Sequence, residues 1–259
     1  MTETIREIDL NADLGEGFGI YACGEDEALL RVVSSANIAC GFHAGDPHLM
    51  RRTVESCLEN GVAIGAHPGL PDRMGFGRRE MRVAPREAAD WILYQVGALQ
   101  AFASAAGGAV RHVKLHGALY HMASADPELA AAAALAVRSA GRELLLYGPP
   151  DSKLSEAAEE AGLAYVPEGF ADRAYTAGGT LAPRSVPGSV LEDEASMLEQ
   201  ALMLAEGNEF AGLDGKPARI AVRTICIHGD TPRAAAKGSR LAEGLRREGW
   251  TIRAPRGSR

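Results

Sequence analysis

The sequence predicts an α/β fold: a closed, seven-stranded parallel β/α barrel with its functional site at the C-terminal mouth. One observation is that seven short apolar runs alternate with longer alanine-rich stretches of helical pattern, as in repeated strand–helix units. A second is that each of four runs, taken residue by residue, has one apolar face and one polar or small face. An open doubly wound sheet would have two apolar faces, so the pattern favours a barrel covered by helices on the outside.

The predicted strands follow one another along the chain. They lie near residues 5–13, 35–40, 61–66, 111–116, 143–148, 163–167 and 223–228. Because side chains alternate along a strand, Asp9, Asn11 and Asp13 share the polar face of the first run. Lys114 and His116 share the corresponding face of the fourth. These polar residues are therefore expected to point into the barrel.

The predicted helices are marked by capping residues. Asp46, Asp126 and Asp230 each precede a proline by one or two residues, which is typical of a helix start. Gly61 and Gly162 stand where helices end in a left-handed cap. The helices are predicted near residues 25–34, 47–60, 86–106, 127–140, 152–161, 190–206 and 232–247.

One segment, residues 167–189, has no periodicity and carries Glu168, Asp172 and Arg173. Structureless segments of this length in compact domains are often functional, so we predict an active-site loop. No linker, low-complexity tract or internal repeat divides the chain. We therefore predict a single barrel domain over residues 1–259.

Composition excludes several classes of function. The net charge is -7, and no basic run offers a footprint for nucleic acid. The four cysteines form no C-x-x-C pair, which argues against a zinc ribbon or a redox dithiol. The N-terminus lacks the pattern of a signal peptide, and no apolar run is long enough to span a membrane. We expect a cytoplasmic protein.

Side chains capable of acid–base chemistry or ligand binding stand at or just after the C-terminal ends of the predicted strands. We therefore expect them to converge at one mouth of the barrel. These residues are Asp13, His43, His67, His116, Glu168 and His228. Asn37 is the expected neighbour of His43. By the same alternation Cys40 faces the helices, which predicts a small buried packing residue rather than a nucleophile.

Two features allow more than one interpretation. Lys114 is either a buried lysine with a lowered pKa or the ion-pair partner of the acidic first strand. The glycine-rich stretch after that strand, Gly15 to Gly19, has the look of a phosphate loop. However, no G-x-x-x-x-G-K-[ST] motif occurs anywhere in the chain, so we interpret the stretch as a loop at the mouth.

Six motifs carry a resemblance to a known family. They are DLNADLGEG (9–17), SANIACGFHAGDP (35–47), AIGAHPGLPDRMGFGRR (63–79), VKLHGALY (113–120), EGFADRAY (168–175) and ICIHGDTP (225–232). Together they resemble the LamB/YcsF family over about residues 5–240. The resemblance implies a seven-stranded barrel of the glycoside hydrolase/deacetylase type. It also implies hydrolysis of 5-oxoproline to L-glutamate, coupled to ATP cleavage, with two partner subunits, B and C.

The implied reaction, opening of a stabilised lactam, needs a base, oxyanion donors and a cation for the substrate carboxylate. Asp13 is the first candidate base and Glu168 the second. Further expected catalytic residues are His43, His116 and His228, and expected substrate-binding residues are Asn11, Asn37, Lys114, Asp172 and Arg173. ATP is expected to be consumed. Its binding site lies either on this chain or on a partner subunit.

The barrel is also similar to carbohydrate deacetylases of the YdjC type, which hold a divalent metal. Asn11 to Asp13 match their first motif, and His67 and His116 stand where their histidine ligands come. Leu14 replaces their second aspartate, so this sequence lacks one of their carboxylate ligands. Metal binding is therefore left open, and it would require Glu16 to take the place of that aspartate. Two alternative functions follow: a metal-dependent carbohydrate deacetylase, or a non-catalytic subunit that binds 5-oxoproline.

Overall fold

The computed structural model describes residues 6–183, 186–229 and 233–257. The strands are β1 (Arg6–Leu14), β2 (Ser35–Ala39), β3 (Ala63–His67), β4 (Val110–Lys114), β5 (Leu145–Gly148), β6 (Ala164–Phe170), β7 (Glu209–Ala211), β8 (Pro217–Arg219), β9 (Thr224–Ile227) and β10 (Trp250–Ile252). The helices are α1 (Asp26–Leu29), α2 (Pro47–Asn60), α3 (Pro85–Ala105), α4 (Gly117–Ala125), α5 (Pro127–Ala140), α6 (Lys153–Glu160), α7 (Glu194–Glu206) and α8 (Ala234–Arg247).

Seven parallel strands close into a barrel in the order β1-β2-β3-β4-β5-β6-β9, with β9 pairing back onto β1. In the closing register Asn11 lies opposite Ser35 on one side and Cys226 on the other. The predicted closed, seven-stranded parallel barrel is therefore confirmed. Its outward face is apolar and buried under the helices, as at Leu10 and Ile225.

The predicted caps largely fix the helices. The Asp46 carboxylate accepts hydrogen bonds from the backbone N–H groups of His48 and Leu49, and Asp126 caps α5 in the same way. Gly61 has a φ of 67°, the left-handed conformation expected after α2. The predicted start at Asp230–Pro232 lies outside the described residues, and α8 is described from Ala234.

The sixth strand is longer than predicted. It continues to Phe170 because Glu168 and Phe170 pair with Thr224 and Cys226 on β9. The prediction that residues 167–170 belong to a loop is therefore wrong, and Glu168 is a strand residue facing the interior. The remaining loop carries isolated bridges from Arg173 to Val190 and from Tyr175 to Leu181.

Helix α4, which follows β4, and the small antiparallel hairpin of β7 and β8 were not predicted. The last strand, β10, pairs with the start of β1. The packing prediction for Cys40 is confirmed, because the thiol is buried and burial raises its pKa to about 12. Within the described residues, no helix is both long and apolar enough to cross a membrane.

Candidate functional site

A cavity of about 430 Å³ opens at the C-terminal mouth, in the range of small-molecule sites. Its polar lining comes from the ends of β1, β3, β4 and β9, from the loops after β3 and β6, and from helix α4. The predicted site residues in this lining are Asp13, His67, Lys114, His116, Arg173 and His228. The predicted convergence of residues far apart in sequence is thus seen in the structure.

A buried cation lies at the centre of the polar cluster. The Lys114 ammonium is 3.0 Å from Asp13 Oδ1 and 2.9 Å from Glu168 Oε1. Burial alone would lower the pKa of Lys114, but the charges of Asp13 and Glu168 outweigh it and raise the pKa well above its usual value. Of the two interpretations of Lys114, the ion-pair partner is the one that the structure supports.

Asp13 is ionised at the floor of this cavity. Burial alone would raise its pKa, but His67 and Lys114 hold the pKa well below its usual value. Its Oδ1 also accepts a 2.8 Å hydrogen bond from Asn37 Nδ2. The carboxylate is therefore fixed in place and carries a negative charge at neutral pH.

Asn11 and Asn37 lie beneath the floor and not in the cavity lining. Asn11 Nδ2 donates to Glu168 Oε1 and to Thr224 Oγ1, and Asn37 Nδ2 donates to Asn11 Oδ1. Asn37 Oδ1 lies 2.8 Å from His112 Nε2. The prediction that Asn37 neighbours His43 is wrong, because Asn37 points into the barrel while His43 lies in the turn beyond β2. The geometry gives both asparagines a positioning role.

Asp172 pairs with His228. Both Asp172 oxygens lie close to His228 Nδ1, at 2.8 and 3.0 Å. A carboxylate can only accept, so Nδ1 carries the proton, and in the neutral ring Nε2 is left as a base. Phe170 stacks on the His228 ring with centroids 5.3 Å apart. This arrangement fixes both the tautomer and the plane of an imidazole at the cavity wall.

Three histidines and a glutamate form a second buried cluster beside Asp13. His43 stacks on His116 with ring centroids 3.6 Å apart, and His67 Nε2 lies 2.9 Å from His116 Nδ1. Glu16 Oε1 is 3.4 Å from His43 Nε2 and 3.5 Å from His116 Nδ1. Burial, reinforced by neighbouring imidazoles, holds the pKa values of His43 and His116 well below their usual value. Both rings are therefore neutral at physiological pH.

Two groups of side chains have the spacing of metal ligands, with their ligand atoms within 4.8 Å of one another. One group is Glu16, His43, His67 and His116; the other is Asp13, Cys226 and His228. The second group already surrounds a cation, because the Lys114 ammonium lies 3.0 Å from both Cys226 Sγ and Asp13 Oδ1. The first group is the better candidate for a metal.

Sequence reasoning missed several residues of the site. Phe170, Tyr120 and Arg78 line the cavity. Burial and the nearby Glu168 raise the pKa of Tyr120 well above its usual value, so its hydroxyl stays protonated. The signal for Phe170 was available, since it continues the alternation of a strand that we ended too early. Tyr120 and Arg78 follow strand ends on segments with no periodicity of their own.

Comparison with known proteins agrees over nearly the whole chain. The model of the LamB/YcsF family matches residues 8–259. The 5-oxoprolinase A subunit of Methylococcus capsulatus is 52% identical over 96% of this chain and 96% of its own length. That of Geobacillus kaustophilus is 49% identical over 97% of this chain and 98% of its own. A solved structure of a lactam utilization protein from Thermus thermophilus superposes with a TM-score of 0.91 at 45% identity, covering 96% of this chain and 100% of that one.

Proposed function

The chain belongs to the LamB/YcsF family, and from this premise we propose that it is the lactam-opening subunit of an ATP-dependent 5-oxoprolinase. It would hydrolyse 5-oxoproline to L-glutamate together with two partner subunits, B and C. The observation that carries the proposal is a closed set of acid–base groups around one small cavity: an ionised Asp13, a tautomer-fixed His228 and the Lys114 ammonium.

The cavity suits a small anion with an apolar ring. Arg173, which is buried and lines the cavity, offers a guanidinium for the substrate carboxylate. Phe170 and Leu181 provide apolar surface for the ring methylenes. A volume of about 430 Å³ leaves room for the substrate and a water molecule.

His228 activates the attacking water in this proposal, and Asp13 lies beside it. A ring nitrogen of His228 and an Asp13 oxygen lie within 4.8 Å of each other, a span that one bridging water can fill. His228 Nε2 takes the proton as the water oxygen bonds to the lactam carbonyl carbon, and Asp172 holds the ring in the required tautomer. We therefore assign Asp13, the first candidate base from the sequence, to orienting the water.

Charge on the carbonyl oxygen is balanced by Lys114, whose ammonium is held charged beside the cavity. As the tetrahedral intermediate collapses, the ring C–N bond breaks and the proton on His228 passes to the leaving nitrogen. The product has the free amine and two carboxylates of L-glutamate. Glu168, the second candidate base, lies behind Lys114 and keeps that lysine in position.

The ATP site is proposed to lie on one of the two partners. The glycine-rich loop after β1 lines a second cavity, but Glu25, Asp26, Glu27 and Asp46 line it as well. Four carboxylates disfavour a triphosphate. This supports the interpretation of the glycines as a loop at the mouth and not as a phosphate loop.

The proposal is tested by reconstitution. Wild-type chain, Asp13→Asn or His228→Gln is combined with subunits B and C, and glutamate formation and ATP cleavage are followed together. We expect glutamate only when chain, partners and ATP are all present, and a loss of at least about a hundredfold in either variant. Asp126→Asn, which changes only the cap of α5, serves as the control for handling and folding.

Two results would contradict the proposal. Full activity of both variants would mean that lactam opening occurs on a partner and that this chain is a binding subunit. Release of acetate from N-acetylated sugars by the chain alone, without ATP, would instead support the deacetylase alternative.

A further inference from the structure

We propose that Glu16, His43, His67 and His116 form a binding site for one divalent transition-metal ion of the zinc class. The proposed function assigns no metal, and this inference stands or falls separately from the lactam reaction. Its basis is the arrangement of hydrogen-bond donors and acceptors around three buried imidazoles.

Two of the imidazoles face each other with lone pairs. His67 Nδ1 lies 2.8 Å from the backbone carbonyl oxygen of Lys114, and His116 Nε2 lies 2.8 Å from that of Phe76. A carbonyl oxygen can only accept, so each of these ring nitrogens carries the hydrogen. When both rings are neutral, the other nitrogens, His67 Nε2 and His116 Nδ1, are unprotonated, and they lie only 2.9 Å apart.

A positive charge, from a metal ion or a proton, is needed where these lone pairs meet. The Asp13 carboxylate adds a further acceptor, with Oδ2 at 3.3 Å from His67 Nε2. Metal-bound histidines characteristically donate the opposite ring N–H to a carbonyl or carboxylate, which fixes the tautomer and orients the ring. The carbonyls of Lys114 and Phe76 do this for His67 and His116.

The third imidazole also lacks a conventional partner. His43 is 1% exposed, and neither of its ring nitrogens makes a hydrogen bond within the described part of the chain. A buried polar group without a partner is costly, by about 1–3 kcal/mol. His43 Nε2 points to Glu16 Oε1 at 3.4 Å, so a metal held by both would satisfy it.

The spacing and the chemistry of the ligands both favour a zinc-class ion. With metal–ligand distances of about 2.0–2.1 Å, neighbouring ligand atoms of a tetrahedral site lie roughly 3.3 Å apart. The separations here are 2.9 Å for His67–His116, 3.4 Å for His43–Glu16 and 3.5 Å for His116–Glu16. Three imidazoles and one carboxylate suit zinc, cobalt or nickel, whereas Mg²⁺ and Ca²⁺ prefer oxygen ligands.

Two glycines allow the backbone to pack closely against the stacked rings. A Cβ on Gly69 would lie 2.5 Å from His43 Nδ1, and one on Gly77 would lie 2.7 Å from His43 Cβ and 2.9 Å from His116 Cδ2. The backbone therefore approaches the stacked pair as closely as it can. This packing holds the two rings face to face, so an ion bound by both requires the His43 ring to tilt out of the stack.

The test is direct metal binding to the intact chain, without substrate or partner subunits. Purified protein is stripped with a chelator, titrated with Zn²⁺ and Co²⁺, and analysed for bound metal and for the visible absorption bands of four-coordinate Co²⁺. We expect one equivalent per chain. His67→Gln and Glu16→Gln should each weaken binding by at least about a hundredfold, no less than the loss on removing an outer-shell partner.

Two controls separate this site from others. His112→Gln changes a buried barrel histidine outside the cluster, and His48→Ala changes an exposed one, and both should keep the bound equivalent. Circular dichroism checks that each variant folds. Absence of Zn²⁺ and Co²⁺ binding by folded wild-type protein would overturn the proposal and assign a shared proton to the His67–His116 contact. Binding that survives both His67→Gln and Glu16→Gln would overturn it as well.

Discussion

The chemistry of His228 depends on one neighbouring carboxylate. Asp172 occupies Nδ1 with both oxygens, at 2.8 and 3.0 Å, and so leaves the basic lone pair of the neutral ring on Nε2. An amide at position 172 could donate to the same nitrogen and favour the opposite tautomer. At the residue scale, the site is therefore set by which nitrogen of each histidine is already engaged.

Asp172→Asn is predicted to lower kcat for glutamate formation by roughly 10⁴-fold, the loss seen when the orienting aspartate of a catalytic triad is changed to asparagine. Binding of 5-oxoproline should change little, because both Asp172 oxygens are engaged with His228. Steady-state kinetics of the reconstituted complex measure the split between kcat and KM. Activity within about threefold of wild type would show that His228 does not act through Asp172.

Lys114→Met is predicted to destabilise the fold by roughly 3–5 kcal/mol, since it leaves Asp13 and Glu168 buried without their cation. Adding Glu168→Gln should recover part of the loss by removing one of the two charges. Urea unfolding of the single and double variants measures both effects. A loss below about 1 kcal/mol in the single variant would mean that the carboxylates find another counter-charge.

His112 makes stability depend on pH. Burial, with the nearby Lys114 charge, lowers its pKa from 6.5 to about 3, so the unfolded chain binds a proton that the folded chain excludes. Stability from this group is full above pH 6.5 and falls as the pH drops from 6.5 toward 3, by about 1.4 kcal/mol per pH unit. His112→Gln should reduce the pH slope of unfolding, measured in chelator between pH 7 and 5, by up to one proton, with the full effect near pH 5. An unchanged slope would contradict the assignment.

At the scale of elements, the segment between β3 and α3 matters most. It contains a short 3₁₀ turn at Arg73–Gly75, followed by Phe76, which receives the His116 hydrogen bond, and by Gly77 against the stacked histidines. This loop therefore packs directly against His43 and His116. Its glycine is conformationally required as well, because Gly77 has a φ of 64°.

Gly77→Ala and Gly107→Ala form a matched pair. Both positions have left-handed φ values, 64° and 80°, but a Cβ at Gly107 would meet nothing within 4 Å. Gly107→Ala should cost only the left-handed strain, about 1–2 kcal/mol. Gly77→Ala should cost a further 1–3 kcal/mol, roughly the penalty of overpacking, and should displace the imidazoles. Equal losses in urea unfolding for the two variants would contradict the close packing at Gly77.

The elements show where sequence reasoning succeeds. Caps such as Asp46 and Asp126 are local signals, and they located helix starts well. The end of β6 was missed because its last residues are held by pairing with β9, more than fifty residues later in the chain. Local composition does not report that contact, and the Gly169 and Asp172 region looked like loop.

For the whole molecule, alternation along the strands was enough to predict a closed barrel and a shared mouth. It placed Asp13, Lys114 and His116 on the inner face, where they lie. It could not predict which groups pair, because partners such as Asp172 for His228 and Glu16 for His43 come from loops. Asn37 was assigned the wrong neighbour for the same reason: the turn after β2 carries His43 away from the strand's inner face.

The most direct test of the central claim is a crystal structure of the chain with 5-oxoproline bound. We predict the ligand in the cavity at the C-terminal mouth, with its carbonyl oxygen toward Lys114, its carboxylate on Arg173, and space for one water between Asp13 and His228. Ligand bound elsewhere, or lying in this cavity with its carbonyl turned away from Lys114 and His228, would contradict the account.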